Sequence, residues 1–230
     1  MRKLFLSIIL IVVLFIVACS PNDTITSGAV VTTDCSSLND LARDNCYSDQ
    51  QWCSKVKNIQ IRDSCVVGLA KAKQDVGVCD LIQTDKTKGY CQEQVAIVKD
   101  DYDLCGDILD TYWKDNCNYN FGINDNIPEY CSFIAREDQR GECFDTIARN
   151  TKDYRICSSI PDENKIDPCI IFIAREEKDI SICDNVVKPL SKESCRYKVA
   201  KESNNVALCD TIGIDIIKNS CKDYFTQKGN

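Results

Sequence analysis

Large apolar residues return every 26 positions along most of this 230-residue chain, in phase with its cysteines. From Cys53 onward the cysteines are 12 and 14 residues apart in strict alternation, through Cys65, Cys79, Cys91, Cys105, Cys117, Cys131, Cys143, Cys157, Cys169, Cys183, Cys195, Cys209 and Cys221. We call the first cysteine of each pair A and the second B. The residue before A is always large and apolar (Trp52, Val78, Leu104, Tyr130, Ile156, Ile182, Leu208), and the residue three after A is always Val or Ile. Four after B stands Leu69, Val95, Phe121, Ile147, Ile173, Val199 or Phe225, followed by a small residue in every unit but the last. Offsets of three and four predict helix, and a fixed period of this size predicts a repeat array. Asp or Asn four before A, and Asp63, Asp115, Asp167, Glu193 or Asn219 two before B, read as N-caps, as does Gly at positions 89 and 141. Pro161 and Pro189 place an early stop on helix A, giving it about two turns, and leave about three for helix B. The pattern predicts an all-α, right-handed solenoid of short αα-hairpins.

The array begins with a shortened unit. Cys35 and Cys46 are eleven apart, and only seven residues separate Cys46 from Cys53. The expectation is a terminal unit lacking most of helix B but keeping the next cap, Asp49, for eight units in all.

Before the array the pattern changes. Met1-Arg2-Lys3 precedes a nearly unbroken apolar run from Leu4 to Ala18. Fifteen residues span about 22 Å as a helix, short of a ~30 Å hydrocarbon core, which suits a signal-peptide core better than a transmembrane helix. The run ends Ile16-Val17-Ala18-Cys19, which resembles the lipobox of bacterial-type lipoproteins. That resemblance implies cleavage after residue 18, a diacylglycerol on the Cys19 sulfur, and a mature protein held to a membrane by that lipid. Residues 19–34 then form a polar linker, and 35–230 the repeat domain.

Composition narrows the chemistry. There is no His, which removes imidazole catalysis and His-ligated metals. The net charge of −7 becomes −9 once Arg2 and Lys3 are cleaved away, so a nucleic-acid partner is not expected. Setting Cys19 aside leaves sixteen cysteines with no close Cys-x-x-Cys pair, so disulfides are expected rather than zinc. Pairing A with B inside each unit uses all sixteen, starting with Cys35–Cys46. Pairing B with the next A strands Cys35 and Cys221 and joins cysteines at unequal heights along their helices. Helical repeats stapled in this way resemble Sel1-like and tetratricopeptide-like solenoids in design, without their diagnostic residues, so no ligand residues carry over.

No catalytic, cofactor-binding or metal site is assigned. The recurring acids are explained by capping, and acid-rich turns such as Asp100-Asp101-Tyr102-Asp103 and Asn124-Asp125-Asn126 lack the spacing of an EF-hand loop. Twelve-residue cysteine separations are unlike redox motifs. The densest aromatic stretch holds Tyr112 and Trp113, which this register puts in the A-to-B turn, outside the apolar positions of the repeat. They mark a ligand groove. Solenoids offer long surfaces and little enclosed volume. The expected function is therefore a non-catalytic binding or scaffold module of the cell envelope with a protein or peptide partner. The alternatives are a carboxylate-dependent hydrolase of surface polysaccharide and a structural spacer.

Overall fold

The computed structural model describes residues 34–228 of the chain. The signal segment, Cys19 and nearly all of the linker lie outside the described residues. Within them the chain is helical throughout, with no strand. Each unit pairs a short helix carrying cysteine A with a long helix carrying cysteine B. All eight predicted bridges are present, with Cα–Cα distances of 5.5–5.8 Å. The described protein is a solenoid of eight disulfide-stapled units.

The long helices are Asp40–Asp49 in unit 1, Ile59–Lys73, Asp85–Lys99, Thr111–Asp125, Glu137–Thr151, Glu163–Glu177, Pro189–Glu202 and Asp215–Lys228 in units 2 to 8. Most have 15 residues, about four turns rather than three. They start six residues before cysteine B, so the residue two before B is internal and not a cap. The caps of units 2 to 7 are Asn58, Thr84, Asp110, Arg136, Asp162 and Lys188. Pro168 is likewise internal, at the sixth helical position. The carbonyl its ring cannot serve belongs to Asn164, which faces solvent.

Helix A differs more. In units 3, 4, 6, 7 and 8 it is a six-residue 3-10 helix such as Val76–Leu81, while unit 5 has one α-turn, Pro128–Cys131, beginning at proline. A segment this short gains little from α geometry, and the tighter spiral covers more distance per residue. The residues four before A do cap it: the side chains of Asp75, Asp153, Asp179 and Asn205 accept from the backbone N–H two residues on. Asp101 stands at the cap position without a side-chain cap bond, and Asp49 is the last residue of unit 1's long helix. That helix keeps ten residues, with Cys46 at the same seventh position as its counterparts. The terminal unit has lost the end of its long helix and the start of the next short one, not most of helix B.

Units join through a fixed turn. The last residue of each junction is left-handed (Gln51, Gln74, Asp100, Asn126, Lys152, Lys178 and Asn204, φ 50–58°), and none is glycine. The next residue's N–H reaches back to the small residue five after B: Asp75 to Ala70, Asp101 to Ala96, Ile127 to Gly122, Asp179 to Ala174 and Asn205 to Ala200, at 3.0–3.1 Å. This is the 6→1 bond of a Schellman cap. The small residues are buried beside the next bridge. A Cβ on Gly122 would lie 3.1 Å from Cys143 Sγ. The core is thus a ladder of bridges with Val or Ile three after A and the apolar residue four after B packed between the rungs.

Candidate functional site

In units 1, 4, 6 and 7 the residue two before B, displaced from its expected capping role, ties neighbouring units together. Asp44 accepts from the backbone N–H of Lys57 and Asn58 in the next unit, at 3.2 and 2.8 Å. Asp115 does the same with Ala135 and Arg136, and Asp167 with Val187 and Lys188. Glu193, one methylene longer, reaches Gly213. The Asn58 N–H, more than the other contacts, holds the Asp44 carboxyl below the usual carboxylate range, against an opposing push from burial. Where the position is glycine, the next unit caps itself. Gly141 faces Pro161, which has no N–H to offer, and Asp162 caps its own helix. Gly89 faces Asp110, which caps its own helix at the Trp113 N–H.

Gly89 does more than release a tie. A Cβ there would sit 3.2 Å from both Cβ and Cδ1 of Trp113. Its absence lets the indole lie on unit 3's long helix, against Tyr90 at 4.8 Å between ring centroids. Tyr112 packs edge-on to Trp113 at 4.9 Å, and the Arg136 guanidinium lies 4.5 Å over the Tyr112 ring. Arg136 is held in turn by Asp115 Oδ2 at 3.1 Å, Asn116 and Gln139. The result is a fixed row, Tyr90–Trp113–Tyr112–Arg136, crossing three units. Tyr112 and Trp113 both join this row, and they occupy the first turn of unit 4's long helix rather than the A-to-B turn. Trp113 Nε1 is buried with no acceptor among the described residues.

Beside Tyr90 the long helices of units 2 and 3 part into a cleft of about 570 Å³, lined by Ile59, Gln60, Asp63, Ser64, Val67, Thr84, Thr87 and Tyr90. The same edge of the solenoid, where each short helix turns into its long one, exposes Leu81, Leu109, Phe133, Val187, Leu190 and Ile216. Sequence reasoning missed Tyr90 and the cleft. Their trace is a coincidence between neighbours: Gly89 departs from the usual acid two before B where the next unit carries Trp113 four before B.

A larger hollow of about 940 Å³ opens on the opposite edge, around Thr151–Ile156 and Glu177–Ile182. Its acids are engaged: Glu177 pairs with Lys152 at 2.5 Å, Asp153 with Arg155 at 2.7 Å, and Asp179 accepts from Ser181. Arg155, chiefly through its side-chain hydrogen bond, holds Asp153 below its ordinary range. Of the acid-rich turns, Asp101 pairs with Lys99 at 3.2 Å. No cluster of three acids or cysteines suited to a metal occurs among the described residues, and none of their helices is long and apolar enough to cross a membrane. Eight disulfides mark an oxidising, extracytoplasmic setting. No family model, curated protein or solved structure matches the chain significantly.

Proposed function

We propose that this chain is a lipid-anchored envelope protein whose solenoid binds an extended segment of a partner protein or peptide, without catalysis. The observation that carries this reading is the continuous strip formed by the unit 2–3 cleft and the row Tyr90–Trp113–Tyr112–Arg136. Rigid aromatics with exposed faces supply contact area at little entropic cost, and a stacked guanidinium adds directional donors. The anchor rests on the lipobox-like Ile16–Cys19 and on bridges that need an oxidising compartment. The hydrolase alternative gains nothing from the larger hollow, where each acid already holds a partner.

The test is capture from intact envelopes with the oxidised, lipid-free body. Tyr90→Ala and Tyr112→Ala remove half-exposed rings, so the fold should persist while at least one captured protein is lost. Capture that neither change affects removes the strip as the site. Detergent-phase partitioning of wild type against Cys19→Ala tests the anchor separately, and equal partitioning refutes it.

A further inference from the structure

We propose that the cleft between units 2 and 3 receives the cationic side chain of a lysine or arginine on the partner segment, with Asp63 as its counter-ion. This deepens the reading above and rests on it for the location of the binding edge. The starting point is an anomaly in the repeat. Asp63 occupies the position of Asp44, Asp115 and Asp167, each of which gives both carboxylate oxygens to backbone N–H groups of the next unit. Asp63 is also buried, at 7 % exposure against 1–4 % for the other three, but makes no such tie. Its Oδ1 has the Arg62 guanidinium at 3.4 Å, and its Oδ2 receives no hydrogen bond from any described residue. A carboxylate with one oxygen left to an open cleft is a ready acceptor for a charged N–H donor. Here the space the tie would close is the cleft, and Asp63 lies in its lining.

The surroundings fit a long cationic side chain. Ile59 and Val67 flank the carboxylate and offer apolar cover for a methylene stem. The Tyr90 ring forms one wall and supplies a π-face for an ammonium or guanidinium. The Ser64 and Thr87 hydroxyls provide further acceptors around a head group with several N–H donors. An anionic side chain would meet Asp63 directly. An aliphatic one would leave the carboxylate as it stands.

The experiment is calorimetric titration of the full-length, oxidised protein in detergent with three blocked peptides that differ only at one central residue: lysine, norleucine or glutamate. The expected order is lysine at least tenfold tighter than norleucine, and glutamate without measurable binding. Asp63→Asn should remove most of the lysine preference. Thr87→Lys, which places an ammonium in the cleft from within, should block the lysine peptide while leaving the thermal transition the same or higher, so the test survives if Asp63→Asn folds poorly. Equal affinity for the lysine and norleucine peptides, no lysine binding at millimolar concentration, or an unchanged lysine preference in Asp63→Asn overturns the proposal. Envelope capture separates the two readings. A partner lost on Tyr90→Ala but retained by Asp63→Asn keeps the strip as a binding site and dismisses the cationic occupant.

Discussion

Single carboxylates in this protein do work that their place in the sequence does not announce. Asp115 is almost fully buried, accepts two backbone N–H groups of the next unit, and holds Arg136 under Tyr112. Its removal strands two donors. Asp115→Ala should therefore cost about 2–4 kcal/mol in denaturant unfolding and also loosen the aromatic row. A loss below about 0.5 kcal/mol would show that the tie is incidental. Glu93 is the opposite case. It is buried between the long helices of units 3 and 4 with Asn120 donating to it at 3.0 Å, and burial raises its carboxyl above the ordinary range. The folded chain thus holds this proton more firmly than the unfolded chain. Glu93's contribution to stability is most favourable below about pH 4.3 and declines as pH rises through the folded value. Glu93→Gln should match or exceed the wild-type melting temperature at pH 7, with the difference shrinking towards pH 4. The reverse pH trend would refute this assignment.

At the scale of the element, the long helices of units 4 to 7 are held at the N-terminus either by an acid from the preceding unit or by their own cap, and the two devices alternate with the side chain opposite. Units 5 and 7 begin at Arg136 and Lys188, which have no cap of their own and receive Asp115 and Asp167. Units 4 and 6 begin at Asp110 and Asp162, opposite Gly89 and Gly141. The exchange can be tested at the proline. Gly141→Asp alone buries an acid against Pro161, which has no N–H, and should destabilise. Combined with Pro161→Ala it gains a donor. The double-mutant cycle should show favourable coupling of about 1–2 kcal/mol, and strict additivity would sink the exchange model. Helix A was expected as an α-helix with B capped two residues before its cysteine. The first failed because the segment is too short to gain from α geometry, the second because Asp and Gly two before B look like caps in sequence and only the neighbouring unit reveals their partner.

For the whole molecule the bridges decide persistence. Each closes a short loop worth about 3 kcal/mol in the chain-entropy model, and the helices between them carry modest apolar faces. Full reduction should melt the far-UV helical signal at moderate temperature, and an unchanged spectrum after verified reduction would contradict this. The order of opening follows burial. Cys46 is partly exposed and Cys65 is 6 % exposed, whereas the cysteines from Cys79 onward are at 0–1 %. Pulsed alkylation should therefore find the Cys35–Cys46 and Cys53–Cys65 bridges reduced before the rest. Uniform labelling would mean that the array opens as one unit.

The amino-acid sequence alone determined the 26-residue period, the eight A–B bridges, the helical character and the buried apolar positions, because each follows from spacing along one chain. Only the tertiary structure decided where the long helices begin, which acids tie one unit to the next, and that Gly89 opens a seat for Trp113 beside the Asp63 cleft. Those features depend on contacts between residues 13 or more positions apart, on different units. A local pattern fixes which face of a helix is apolar, but not which backbone donor the next unit presents to it.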